Sequence, residues 1–277
     1  MKKLTAMLLV FCMALTACAL VACSTTPDDP SNPNNPSNPN NPQNPGAQSG
    51  SLYEIVTSAM AMVKAAESYD ANILVDLTTD LMGQVSKDGS NLTAKATALG
   101  SDSPVIGVSG TVTYSGYDTQ TNYYLEGEWM YFLMYEAGYK QLATREEFAQ
   151  QAADPTTLFV VLPESVFANA TGTADNAVIP VDEETFEALY RDVIVPVVDD
   201  VVGEDLSQVT TKDAKILVSV QNGQIRSFGI SFTCEIVAGN DKVEYKYAQT
   251  VTFNSLNQAV TVTPPEGYAQ FPELDWG

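Results

Sequence analysis

Any chemistry in this chain has to come from thiols, hydroxyls, carboxylates or lysine amines, because its 277 residues include no histidine. That removes the commonest general base at neutral pH and a usual transition-metal ligand. A Gly-x-Ser-x-Gly elbow, a Ser-x-x-Lys pair, a Walker loop and a Gly-x-Gly-x-x-Gly fingerprint are all missing from the sequence. Carboxylate pairs of the glycosidase kind are formally left, and the densest acidic group is Asp192, Asp199, Asp200, Glu204 and Asp205. It lacks the ordered spacing of a calcium loop. A solvated acidic face is therefore the expectation, with no catalytic residue, metal or other cofactor, and a carboxylate-dependent hydrolase is the distant alternative. Among the four cysteines, Cys12 and Cys18 sit in an apolar N-terminal segment, Cys23 follows it, and only Cys234 lies in the body of the chain. A lone cysteine cannot close an internal disulfide. Cys234 alternates with Phe232 and Ile236 and reads as a small buried strand residue rather than a reactive thiol.

Cys23 is the one cysteine with a chemistry of its own. Lys2 and Lys3 precede an apolar run over residues 4–15, the charged and hydrophobic regions of a secretory signal. The run is too short and wrongly flanked for a transmembrane span. It leads into Leu20-Val21-Ala22-Cys23, which resembles the bacterial lipobox, an aliphatic residue and small residues ahead of a cysteine that takes diacylglycerol. Leu15-Thr16-Ala17-Cys18 fits the same pattern, so Cys18 is the alternative site. Cys23 is preferred because polar sequence starts directly after it, at Ser24-Thr25-Thr26-Pro27. The resemblance implies removal of residues 1–22, a membrane held through lipidated Cys23, and a place on the extracytoplasmic face of the cell membrane, or the outer membrane of a two-membrane cell.

The elements that follow must be read against a strong charge imbalance. There are 13 basic residues against 34 acidic ones, and without Lys2 and Lys3 the net charge falls from -21 to -23. Such a field repels phosphate backbones and anionic headgroups, so nucleic acid is not an expected partner and attachment has to come from the lipid. After Cys23, residues 24–50 are rich in Asn, Pro and Ser, with Ser31-Asn32-Pro33-Asn34-Asn35-Pro36 repeated directly at 37–42, so 23–50 reads as a lipidated cysteine and its tether. Prolines this frequent favour an extended spacer of about 3.1 Å per residue, roughly 80 Å in all. With 45% hydrophobic residues, the remaining chain, 51–277, is expected to form one globular domain.

In that domain Leu52, Ile55, Val56, Ala59, Val63 and Ala66 recur at helical steps and predict an amphipathic helix ending near Ser68. The period then drops to two: Ile73, Val75, Leu77 and Leu81 predict a half-buried strand. Further strands are expected at 91–99, 108–114, 121–126, 128–135, 214–220, 224–237, 242–254 and 259–263, with a hairpin turn at Asn222-Gly223. Thr144 and Glu147 suggest a capping box for a helix over 145–153. A longer helix is expected after Asp182, with Phe186, Leu189, Tyr190, Val193, Ile194, Val197, Val198 and Val201 on its apolar face and a kink at Pro196.

Helix, antiparallel strands, helical insertion, then long hairpins: this order resembles the LolA/LppX-like superfamily of lipoprotein and lipid carriers. The likeness runs from Leu52 to Trp276, through Gly127-Glu128-Trp129-Met130-Tyr131, the insertion with Pro196, Asn222-Gly223 with Ile225-Arg226-Ser227-Phe228, and Pro265-Glu266-Gly267-Tyr268. It implies an α+β fold, a curved antiparallel half-barrel sheet wrapped over helices. It also implies a non-enzymatic role in which the hollow takes lipid or acyl chains, bordered by Trp129, Tyr131, Phe186, Tyr190, Phe228 and Phe232. Each of these aromatics can equally be core packing. The alternative is an envelope protein-interaction or sensor module whose hollow is filled by its own side chains. Because Cys23 tethers the chain, handling of lipid near its own membrane fits better than a ferry between membranes.

Overall fold

The computed structural model describes residues 50–134, 137–144, 147–148, 155–203, 206–238 and 241–274. The expected signal segment, Cys18, Cys23, all but the last residue of the tether, Glu204, Asp205 and Trp276 lie outside the described residues, as does most of the expected helix at 145–153.

Helix α1 (Leu52–Lys64) begins where Ser51 and Glu54 form a reciprocal capping box, and it buries Val56, Ala59, Met60 and Val63. Ten strands follow: β1 (Tyr69–Leu81), β2 (Gln84–Thr97), β3 (Val105–Tyr114), β4 (Tyr117–Glu126), β5 (Trp129–Met134), β6 (Ala137–Leu142), β7 (Ala177–Pro180), β8 (Val209–Gln221), β9 (Gln224–Ala238) and β10 (Asp241–Leu256). Helix α2 (Glu183–Val202) stands between β7 and β8. All ten strands lie in one antiparallel, open, curved sheet in the order β6-β5-β4-β3-β2-β1-β10-β9-β8-β7. Two meanders thus meet at the long β1–β10 pair, which runs from Tyr69↔Leu256 to Leu81↔Val243.

Three tight hairpins carry positive φ at both central residues: Met82-Gly83 (52° and 85°), Ser115-Gly116 (49° and 80°) and Asn222-Gly223 (53° and 80°). This is the turn geometry whose twist matches that of the paired strands. The Asp80 carboxylate accepts the Gly83 N–H at 2.8 Å and steadies the first of them. Gly110 is required for a different reason. Its φ is +152°, and a Cβ there would fall on the Asn91 carbonyl and within 2.9 Å of Leu92 Cα on β2.

Register assigns every strand residue to one of two faces. Tyr69, Ala71 and Ile73 of β1 sit opposite Ala96, Ala94 and Leu92 of β2, and these opposite Ile106, Val108 and Gly110 of β3. This inner face carries the core and both helices. α1 packs against β8 and β9, and α2 against β8 and β10. Glu183 and Glu187 of α2 fasten that helix to β8 by accepting from the Thr211 N–H (2.8 Å) and hydroxyl (3.0 Å).

Three expectations need correction. The segment 259–263 is extended but pairs with no strand, because Asn257 turns the chain out of β10 at φ 54° and Pro264-Pro265 cannot donate to a ladder. It becomes a strap that crosses the outer face. Val262 lies over Gly107, Tyr268 meets Tyr124 and Tyr131 edge-on at 5.3 and 5.0 Å, and Phe271 lies over Gly138. The strap ends by capping the free edge of β6, where the Lys140 N–H donates to Pro272 O (2.9 Å) and the Leu274 N–H to Lys140 O (2.8 Å). Secondly, the break in α2 is at Tyr190 (φ -126°, ψ 26°), one and a half turns before Pro196. The proline ring crowds the turn ahead of it, and the backbone departs from helical values upstream of that turn. Thirdly, the helices occupy part of the inner face rather than being wrapped by the whole sheet. The Thr144–Glu147 box forms on both sides, at 2.7 and 3.1 Å.

Candidate functional site

The two ends of the inner face differ in how far they are sealed. At one end Tyr69, Ala71, Ile73, Ala94, Ala96, Ile106, Leu125 and Met130 are fully buried. Toward the Met82-Gly83 and Ser115-Gly116 turns the same alternation continues, but the side chains keep partial exposure: Val75 and Leu77 on β1, Ser90 on β2, Val112 on β3, Tyr123 on β4. Strands β8 and β9, under the helices, stay buried along their inner faces from Val209 to Val220 and from Ile225 to Ile236. The opening therefore belongs to the β1–β4 half.

On one side this recess is bounded by Tyr247, in register with Leu77, whose hydroxyl donates to Gln249 at 2.8 Å. On the other, Tyr123, Phe132 and Tyr139 stack across β4, β5 and β6 at successive centroid distances of 6.2 Å. Val75, Leu77, Val112 and Tyr123 share this surface with polar residues: Ser90 stands in register between Val75 and Val112, and Asp88 stands beside Leu77, so the face offers methylene-sized apolar contacts around a polar centre.

The six aromatics expected to border the hollow separate into two groups. Phe186, Tyr190, Phe228 and Phe232 come together on the inner face, with Phe186 5.0 Å from Tyr190 and 5.2 Å from Phe232, and Phe228 4.7 Å from Phe159. At 0–2% exposure their rings fill the sealed part rather than line an open one. Trp129 and Tyr131 lie on the outer face, by the register Glu126↔Trp129 and Tyr124↔Tyr131. There the Lys140 ammonium sits 4.4 Å from the Trp129 ring, and Tyr131 joins Tyr124 and Tyr268. Burial, with Glu126 nearby, pushes the Tyr124 phenol up to about 12. Nothing in the sequence signals this division, because the residues of 128–135 alone do not say which side faces inward; the pairing with β4 does. Leu77, Val112 and Tyr123, which do border the recess, stood in the alternation but without a signal that set them apart from core.

Two clefts formed by described residues lie elsewhere. One, of about 280 Å³, is under the strap against Thr93, Lys95, Ser109 and Asn122. The other, of about 450 Å³, is beside Glu67, Ser68 and Ser101. Both have more polar than apolar walls. Among the described residues no three cysteines or carboxylates approach closely enough to hold a metal ion, and no helix is long and apolar enough to cross a membrane. Cys234 is buried on β9, 3.9 Å from the Thr211 hydroxyl, and burial pushes its thiol up to about 12.

No protein-family model and no curated protein matches the chain. Among solved structures, LprF from Mycobacterium bovis is similar at 11% identity, over 78% of this chain and 97% of that one, with a TM-score of 0.39. The Mycobacterium tuberculosis lipoprotein LppX is similar at 11% identity over 78% of this chain and 100% of its own, with a TM-score of 0.33. A LolA superfamily protein from Nitrosomonas europaea follows at 9% identity, 76% and 94% coverage and a TM-score of 0.26. At 9–11% identity, what the recess can hold follows from its own residues.

Proposed function

We propose that this protein is a lipid-anchored module of a bacterial envelope, held through Cys23, that takes an acyl chain on the open half of its inner sheet face and catalyses no reaction. The observation that carries this reading is the burial gradient along β1–β4: an alternation that seals the core at one end continues as partly exposed Val75, Leu77, Val112 and Tyr123 at the other. The partly exposed apolar side chains between the aromatic groups are what an acyl ligand would remove from water, at roughly 25 cal/mol per Å². The 23–50 spacer would let the domain stand off the membrane while staying near it, on the extracytoplasmic face of the cell membrane or of an outer membrane.

A second reading, an envelope interaction or sensor module with no small ligand, is favoured by one observation. Phe186, Tyr190, Phe228 and Phe232 fill the space under α2 with their own rings. The two readings part on Leu77→Asp combined with Val112→Asp. These changes sit at partly exposed positions and leave the sealed end alone. If the recess holds acyl chains, a fluorescent polyene fatty acid binds the parent with saturation and the double variant at least tenfold more weakly. Equal binding by both proteins, or none by the parent, would overturn the acyl reading.

A further inference from the structure

The strap leaves a cleft of about 280 Å³ beside it on the outer face of the sheet, opposite both helices. The floor of the cleft is one register row: Thr93 of β2 stands opposite Ser109 of β3, and Ser109 opposite Asn122 of β4. Neighbouring strands are about 4.8 Å apart, so two hydroxyls and a carboxamide follow one another at that step. Thr261 and Thr263 of the strap supply the facing wall, and Lys95 completes the lining on the β2 side. The strap can lie this low because residue 107 is glycine; a Cβ there would stand 2.8 Å from a Val262 methyl carbon.

A second set of side chains holds this floor in place. The Thr93 hydroxyl donates to Asn72 Oδ1 (3.3 Å), Asn72 Nδ2 to Asn254 Oδ1 (3.5 Å), and Asn254 Nδ2 to Asp70 Oδ1 (2.8 Å). The other Asp70 oxygen pairs with Lys95 Nζ at 3.3 Å. Polar groups oriented by such partners are pre-organised for a ligand.

We propose that this cleft binds a neutral saccharide chain. An apolar ligand would take water from hydroxyls and an amide without replacing its hydrogen bonds. An anion would find Lys95 already neutralised by Asp70 and would approach a chain of net charge -21. No carboxylate among the described residues lines the cleft to hold a cation. An extended peptide gains its affinity from a free strand edge, whereas β2, β3 and β4 are each paired on both sides. An uncharged ligand rich in hydroxyls meets Thr, Ser and Asn side chains that donate and accept as it does. The site lies on the opposite face of the sheet from the recess and does not depend on what the recess holds.

The test is an NMR amide-shift titration of the chain from Ser24 onward with chitotetraose and cellotetraose, against tetragalacturonate and tetraalanine as charged and peptide counterparts. At least one neutral saccharide is expected to shift the amides of Thr93, Ser109, Asn122 and 261–263 with saturation, and to bind about tenfold more tightly than either counterpart. Ser109→Ala combined with Asn122→Ala strips the floor, and Thr261→Ala combined with Thr263→Ala strips the strap. Each pair is expected to weaken binding about tenfold, and the exposed Ser109→Ala alone, which serves should a pair fail to fold, about threefold. Leu77→Asp combined with Val112→Asp is expected to leave saccharide binding unchanged. Failure of both neutral saccharides to shift these amides, equal binding of either counterpart, unchanged affinity in a folded alanine variant, or loss of binding in the aspartate variant would each overturn the saccharide cleft.

Discussion

Phe228→Ala removes a ring that has no exposure, lies 4.7 Å from Phe159 and faces Val251 and Val218 across the neighbouring strands. If the sealed end is packed, the loss combines the ring's transfer free energy with a cavity that rigid strands cannot collapse, about 3–5 kcal/mol. Domains of this kind have a total stability of about 5–15 kcal/mol, so the variant should fold but only marginally. With a urea dependence of about 3 kcal/mol per molar, the midpoint should fall by about 1–1.7 M at unchanged slope. The assay is equilibrium urea unfolding followed by far-UV circular dichroism and tyrosine fluorescence, whose transitions must coincide for the arithmetic to hold. Leu77→Ala is the internal comparison: its side chain already meets solvent, so its cost should be well below that of Phe228→Ala. A loss below about 1 kcal/mol for Phe228→Ala would mean that the ring borders compliant or empty space. The description of a sealed end and an open end would then be wrong.

Three further outcomes follow from named contacts. Gly110→Ala places a Cβ on the Asn91 carbonyl at φ +152° and should cost about 2–4 kcal/mol, whereas Gly127→Ala, at φ 62° with nothing within 4 Å, should cost about 1 kcal/mol in the same urea assay. Asp182 accepts the Thr185 N–H at 2.9 Å, and that bond holds its carboxyl below the usual value of 3.8. A lowered folded-state value gives a contribution that is complete above pH 3.8 and fades as pH falls through the folded one, so Asp182→Ala should melt earlier than the parent at pH 7 and the gap should close in acid. Gly138→Val forces a side chain onto Phe271 and should lift the strap. Spectrophotometric titration should then show the Tyr124 step moving from about 12 toward 10, and a step that stays put would show that the strap does not cover that ring.

Much of the sheet is legible in the sequence because alternation, turn chemistry and burial agree there. Ile73, Val75 and Leu77 keep one face, and Asn222-Gly223 turns where its two positive φ values require. The segments 84–90 and 117–120 escape notice because Lys87, Asp88, Asp118 and Gln120 carry no apolar alternation. They are strands by pairing with β1 and β3, and their turns, Met82-Gly83 and Ser115-Gly116, are weaker signals than Asn-Gly. The four-residue β7 is too short for periodicity and is held by Ile179 beside Ile216. The strap reads as a strand because Val260 and Val262 alternate with Thr261 and Thr263; only the topology shows that the chain here runs over the outer face and reaches a sheet edge further on, at Lys140 of β6. Which aromatics meet solvent was out of reach for the same reason, since burial on a sheet face is decided by where α1 and α2 lie and not by the strand's own residues.

The central claim is most directly tested by native mass spectrometry of the domain 51–277, exported without its anchor into a bacterial envelope and purified without detergent. The account predicts a co-purifying acyl species that denaturation releases and that the Leu77→Asp, Val112→Asp variant fails to retain. A bare protein mass, unchanged after incubation with mixed envelope lipids, would contradict it.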